Sequence, residues 1–277
     1  MQLPRSAQMT PREGVGSLYY SFASFDAVPF VRHGFSTRLG GVSRGPFSAM
    51  NLSFTRGDEA AAVRENFALF CENLGMKAED VVVSAQEHHT NLYNATAADR
   101  GRGVTRERGY TDIDGLLTDE PGVVLCTQYA DCVPLFFVDP VRKVVATSHA
   151  GWKGTAARIG RITVDRMARD YGCRPEDILA GIGPSIGACC FEVDEPVASV
   201  FAAMGEGAGC IRERGAGKYD VDLWEVNRRV LAGAGIEPEH ISVAGLCTRC
   251  HPDIFWSHRA AGALRGSLAA FIAIADR

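Results

Sequence analysis

The chain has 277 residues, 46% of them hydrophobic and 22% charged, a composition ordinary for a soluble globular protein and long enough for a substantial core. A formal charge of −4 and a pI near 6.0 argue against a general binder of nucleic acid or anionic membrane. No apolar run nears the roughly 18 residues of a membrane span, and Met1-Gln2-Leu3-Pro4-Arg5-Ser6 lacks the apolar stretch of a secretory signal. Nine scattered cysteines fit reduced thiols in a cytoplasm better than a disulfide framework.

In chain order, residues 1–17 are polar, with Pro4 and Pro11, and are expected to be a flexible lead-in. Leu18–Phe25 and Phe30–Phe35 read as short strands that lead into the glycine- and hydroxyl-rich loop Ser36–Ser43. A helix capped by Asp58 is expected to reach Leu74, with Val63, Phe67, Phe70 and Leu74 on one face and Gly75 as its stop. Val81–Ala85 reads as a strand delivering Gln86-Glu87-His88-His89, and Asn94–Gly115, carrying Arg100, Arg102, Arg106 and Arg108, as one long surface loop of the kind that often serves as a lid. Gly122–Thr127 is a strand, and Val133–Val138 with Val144–Thr147 form a hairpin. A helix follows from Gly154–Thr155 to Tyr171, then a strand at Ile178–Ile182 and helices at Glu195–Met204 and Leu223–Ala234, the latter capped by Asp222. Ile241–Leu246 and Leu268–Ile274 close the chain as strands. Strands that cluster without alternating strictly with helices predict an α+β fold, as a single domain over 18–277.

The chemistry gathers at the hairpin. If Asp139-Pro140-Val141-Arg142 is its loop, Val138 faces Lys143 and Cys132 faces His149. Directly opposed residues have Cβ atoms about 4.5–5.5 Å apart. That spacing suits either two ligands of one metal ion or a nucleophile and its base, and does not choose between them. Two ligands are too few for catalytic zinc, which takes three and keeps an open position. His88, after a strand and in a polar run, is the preferred third ligand, with His89 as its competitor. Asp131 is adjacent to the cysteine. Ala150–Gly154 leads into a helix N-terminus, where anions are favoured, and Arg38 and Lys153 are candidate anion contacts. Gly181–Gly187 could cradle a phosphate, a weak signal. Cys247-Thr248-Arg249-Cys250-His251 matches a haem-attachment pattern without the context for it, and reads as structural or incidental.

The blocks Phe35–Ser43 with Asn51-Leu52, Gln86-Glu87-His88, Asp114-Gly115-Leu116, Ala130–Pro134, His149–Gly154, Gly183–Ile186 with Phe191-Glu192-Val193, and Phe255–Arg259 with Gly262 run in order along nearly the whole chain. Together they resemble the laccase-domain or YfiH-like family, also described as polyphenol oxidase, peptidoglycan editing factor and purine nucleoside phosphorylase. The chain departs from the family's usual pattern at Phe191, where tyrosine is common, and at His258, where S-Y-R is common. The resemblance implies a CNF/YfiH-like fold of mixed β-sheets with flanking helices and one Zn²⁺ held by His88, Cys132 and His149. It implies phosphorolysis of adenosine, inosine, guanosine and methylthioadenosine, and deamination of adenosine. Cys132, His149 and Asp131 are then the expected catalytic residues, and Arg38, Lys153 and Asn51 the expected contacts to nucleoside and phosphate. Copper is the lesser expectation, since seven histidines without paired H-x-H motifs do not supply the histidine-rich clusters of multicopper oxidases. A metal-free cysteine hydrolase or amidase acting on a cell-wall precursor, with Cys132 as nucleophile and His149 as base, is the alternative from another class.

Overall fold

The computed structural model describes residues 3–275. One six-stranded sheet runs, in spatial order, Met9–Gly14, Ser17–Phe22, Val31–Gly40, Leu268–Ile274, Val124–Tyr129 and Val81–Val83. A second runs Ile241–Val243, Leu179–Ile182, Val133–Asp139, Val144–Ala150, Gly115–Thr118 and Leu92–Asn94. Both mix parallel edge pairs with antiparallel centres. A small third sheet of Glu192–Asp194, Lys218–Val221 and Ile211–Gly215 stands apart. The expected α+β class with mixed sheets and flanking helices is the fold observed.

Alternation along two strands explains the layering. In Leu268–Ile274 every residue is buried. Leu268, Ala270, Ile272 and Ile274 enter one core cluster, while Ala269, Phe271 and Ala273 enter another. In Val133–Asp139, Phe136 and Val138 share the first of those cores with the opposite sheet, while Val133, Leu135 and Phe137 face a third. Successive side chains of a strand point to opposite faces, so a strand apolar throughout must be covered on both. The two large sheets therefore share a core. Helix Ala60–Asn73 covers the far side of one through Val63, Phe67 and Phe70. Helices Ile159–Tyr171 and Leu223–Gly233 cover the far side of the other through Ile159, Val164, Met167, Val226 and Val230.

Several local expectations change. Met1 and Gln2 of the expected lead-in lie outside the described residues, but Met9–Gly14 is an edge strand paired with Ser17–Phe22. Its side chains are mostly exposed, and Pro11 is tolerated there because an edge strand needs no inward N–H. Asp58 is not the cap of its helix, which starts at Ala60 after Glu59. Its Oδ2 instead accepts from Ser43 Oγ at 2.6 Å and Asn51 Nδ2 at 2.9 Å. The helix expected from Gly154 to Tyr171 is two, Trp152–Ala156 and Ile159–Tyr171, broken where Arg158 turns left-handed at φ 58°. Within the expected Asn94–Gly115 loop, a short 3₁₀ turn at Ala97–Asp99 is closed by reciprocal Thr96 and Asp99 bonds.

The hairpin forms with another register. Asp139 remains in its strand opposite Val144, Val138 faces Val145, and His149 faces Pro134. Asp139 Oδ1 accepts the N–H groups of Val141 and Arg142 at 2.8 Å each, and Lys143 takes φ 56°. The four-residue loop is thus Pro140–Lys143, because the aspartate folds the turn after itself. The register moves by two residues, which preserves face parity. Cys132 and His149 meet diagonally and not as a directly opposed pair.

Candidate metal centre

Sheet register assembles the site. Gly115 lies opposite Ser148 in the pairing of Gly115–Thr118 with Val144–Ala150, which sets Asp114 beside His149. The His149 N–H donates to the Asp114 carbonyl at 2.7 Å, and its ring Nδ1 lies 2.8 Å from Asp114 Oδ1. Burial alone would raise the pKa of the Asp114 carboxyl, but bonds from His149 and from the Glu87 and His89 N–H groups outweigh it and hold the group ionised. A carboxylate only accepts, so the His149 proton sits on Nδ1 and the Nε2 lone pair is left for a metal.

The same carboxylate gathers the backbone N–H groups of Glu87, His88 and His89 at 2.9, 3.0 and 3.1 Å. They wrap it in a turn where His88 takes φ 65°, an unfavourable region for a non-glycine residue. The turn separates the neighbouring imidazoles. His88 Nε2 comes to 3.9 Å from Cys132 Sγ, and its ring meets His149 edge-on at 4.8 Å. His89 points outward and pairs with Asp112 at 2.7 Å. One donor atom from each of His88, Cys132 and His149 lies within 4.8 Å of the other two. One thiol and two imidazoles beside a cavity match the ligand chemistry and count of a catalytic zinc site. The same closeness leaves little room at Gly151, since a Cβ there would sit 3.1 Å from both Cys132 Sγ and His88 Cδ2 and press on both.

Desolvation opposes ionisation of the Cys132 thiol, but the positive field and hydrogen bonds of His149 and His88 outweigh it, so its pKa lies below the ordinary value. Burial likewise opposes protonation of His149, and the Cys132 thiolate with the Asp114 carboxylate reverse that. Without metal the pair therefore leans toward thiolate and imidazolium; a metal ion would take the place of the proton on Nε2.

These residues line a cavity of about 490 Å³, within the usual size of a small-molecule site. Asp131 lines it too, and its carboxylate is held away from His149. Its Oδ1 accepts from Thr248 Oγ1 and its Oδ2 from the Arg259 N–H, each at 2.6 Å. Arg38, Asn51 and Lys153 do not line it. The Arg38 guanidinium lies 3.8 Å from the Trp256 ring centroid and donates to the carbonyls of Pro252 and Ser48. Asn51 is fully buried and joins Ser53, Asp58 and Ser267. Lys153 is exposed on a five-residue helix, with its ammonium 5.8 Å from the Trp152 ring centroid.

The cavity's cations are instead Arg56, Arg108, Arg259 and Arg265. Arg265 is 7% exposed, donates to the Gly266 carbonyl at 2.8 Å and has no partner for Nε. Desolvation and the nearby Arg56 push its pKa down to about 10, still charged at neutral pH. Reading the sequence missed this residue; its one signal is a charge placed just before the fully apolar strand Leu268–Ile274. Asp114 was in view only as part of a motif, with no role attached.

Residues 32–275 match the family described as multi-copper polyphenol oxidoreductase laccase. The chain is 38% identical over 245 residues to the purine nucleoside phosphorylase YlmD of Bacillus subtilis, covering 88% of each. It is 35% identical over 234 residues to the adenosine deaminase RL5 of an unknown prokaryote, covering 82% of this chain and 88% of that protein. The crystal structure of the YfiH protein of Bacillus licheniformis superimposes with a TM-score of 0.90 at 35% identity, over 95% of this chain and 98% of that one.

Proposed function

The chain belongs to the laccase-like, YfiH-type family, and from that premise we propose that it is a zinc-dependent purine nucleoside phosphorylase with adenosine deaminase activity. An enzyme of nucleoside chemistry is what its relatives are named for. The observation that carries the finer reading is the convergence of His88, Cys132 and His149 on a cavity that also holds a buried arginine with an unpartnered N–H. When bound, zinc supplies a Lewis acid that polarises an oxygen of phosphate, sugar or water. Arg265, with Arg56 and Arg259 on the same cavity, offers charge-assisted donors to phosphate. Phe191 and Trp152 offer rings against a purine. Each Asp131 oxygen holds one donor and keeps capacity for a substrate N–H or a proton. In phosphorolysis a phosphate oxygen bonds to the sugar C1′, the bond to the purine nitrogen breaks, and the base leaves with a proton. In deamination water replaces the C6 amino group and ammonia departs.

Adenosine, inosine, guanosine and methylthioadenosine are the proposed substrates, and nucleoside and phosphate the proposed partners, with no nucleic acid among them. A cytoplasmic location is part of the same reading, supported by nine free thiols; no helix among the described residues is long and apolar enough to cross a membrane. Zinc is preferred to copper because the other groups of possible ligands among the described residues are four cysteines and the solvent-facing Glu87, His89 and Asp112. Neither resembles a histidine-rich copper cluster.

The metal-free hydrolase keeps one observation in its favour: Asp114, His149 and Cys132 also stand in the order of orienter, base and nucleophile. One experiment separates the readings. Free base should be released from inosine only when phosphate is present, with chelation abolishing the activity and zinc restoring it. Full turnover in the chelated protein, or base release without phosphate, would remove the phosphorylase reading.

A further inference from the structure

Four of the nine cysteines converge away from Cys132. Cys189 and Cys190 follow the Gly183–Gly187 loop, and Cys247 and Cys250 follow the strand Ile241–Val243. Backbone bonds join the two segments: Ser185 N–H donates to the Leu246 carbonyl at 3.2 Å, and Thr248 N–H to the Ser185 carbonyl at 3.0 Å. All four sulfurs lie within 4.8 Å of one another, and Cys250 Sγ is 3.5 Å from both Cys189 Sγ and Cys190 Sγ.

We propose that Cys189, Cys190, Cys247 and Cys250 form a second, structural metal site that takes one zinc ion in tetrathiolate coordination. Zinc–sulfur bonds of about 2.3 Å place the sulfurs of a tetrahedron about 3.8 Å apart, close to the spacing found here. A disulfide joins one sulfur to one other at about 2.05 Å and gives no reason for Cys250 to stand equally near two partners. Clusters of several irons spread their cysteines further apart than this group allows. Four soft thiolates select zinc or another thiophilic ion over magnesium or calcium.

At Cys247 the backbone already turns two N–H groups toward the sulfur. Cys247 Sγ accepts the Gly187 N–H at 3.3 Å and also that of Cys250, three residues on. Cys189 and Cys250 are exposed, which gives an ion a route in from solvent. Binding changes no oxidation state: each thiol releases its proton to solvent and four metal–sulfur bonds form.

The site bears on the cavity through its neighbours. Thr248, between the two later cysteines, donates to Asp131 Oδ1, and Ile186, ahead of the first pair, donates its N–H to the Asp131 carbonyl at 2.9 Å. A zinc ion here would clamp together the two loops that hold Asp131 in place.

The test is metal analysis of the full-length protein purified under reducing conditions. Cys247→Ser, and separately Cys189→Ser at an exposed position, should each carry one zinc per chain fewer than wild type. Cys132→Ser should keep this ion. The difference between variants is read whether or not His88, Cys132 and His149 hold metal, so it stands apart from the proposed activity. Should Cys247→Ser not fold, cobalt substitution reports on intact protein: the intense sulfur-to-cobalt bands of a tetrathiolate should appear in wild type and in Cys132→Ser and vanish in Cys189→Ser. Equal zinc in wild type and Cys189→Ser, iron in place of zinc, or a disulfide from Cys250 in the freshly purified protein would each overturn the assignment.

Discussion

Asp114 ties the candidate centre together from outside its three converging side chains. Its two oxygens accept from three consecutive backbone N–H groups and from the His149 ring, so one carboxylate fixes both histidines. Asp114→Asn keeps the size but loses the charge and turns an amide N–H₂ toward donors. Zinc affinity should fall about 10–100-fold, read by competition with a chromophoric chelator; an unchanged affinity would remove Asp114 from the site. Among the cations, the loss of a charge-assisted bond at Arg265 predicts that Arg265→Met raises the KM for phosphate about tenfold or more. Lys153→Ala, on an exposed residue outside the cavity, should change it less than about twofold. Phosphate saturation curves decide this, and equal effects would show that the buried arginine is not the anion contact. Arg38→Ala should instead cost roughly 1–3 kcal/mol of stability, since its guanidinium stacks on Trp256 and ties two carbonyls.

At the scale of elements, the strand-to-helix junction Ala150–Trp152 is the tightest piece of the site. Gly151 has φ −59°, which alanine adopts freely, so the backbone does not demand glycine. The constraint is the 3.1 Å approach of a Cβ to the Cys132 and His88 side chains. Gly151→Ala should therefore weaken zinc binding roughly tenfold while leaving the thermal midpoint of the chelated protein nearly unchanged. A large fall in that midpoint would mean that the glycine serves packing. The apolar runs of the hairpin and of Leu268–Ile274 were legible because strands covered on both faces leave a continuous apolar signature. The pairing of Cys132 with His149 was inferred from a register two residues off, and survived only because such a shift preserves the face. What turned the loop was the Asp139 side chain, which a hydrophobic pattern does not report. Ile211–Gly215 with Lys218–Val221 was not foreseen, although Gly215-Ala216-Gly217 between polar residues marks a turn; most of its side chains are exposed and carry no apolar period. Arg265 and Asp114 were hidden for a different reason. Their importance lies in burial and in partners brought from distant segments, and neither leaves a spacing in the chain.

For the molecule as a whole, His33 links the N-terminal strands to the closing strand, where it pairs with Ile272. The residue is 5% exposed, its ring packed beside Phe22 and edge-on to Phe25, and Nε2 accepts the Phe22 N–H at 2.7 Å. Burial pushes its pKa down to about 4; Arg12 adds to that, while Asp26, 4.0 Å away, works against it. The folded value thus lies below the roughly 6.5 of an unfolded chain. Above pH 6.5 neither state binds the proton and His33 carries no penalty. As pH falls from 6.5 toward 4, the unfolded chain takes up a proton that the folded one refuses, so stability declines by about 3 kcal/mol in total from this group. Acid-sensitive carboxylates act in the same direction, so the comparison must be differential. His33→Gln retains an acceptor for the Phe22 N–H and does not titrate. Urea unfolding at pH 7, 5.5 and 4 should give wild type a steeper loss than His33→Gln, the gap opening below pH 6.5 and approaching that figure near pH 4. Parallel profiles would show that the ring is protonated in the folded state, and the buried, neutral histidine between the first strands and the last would have to be abandoned.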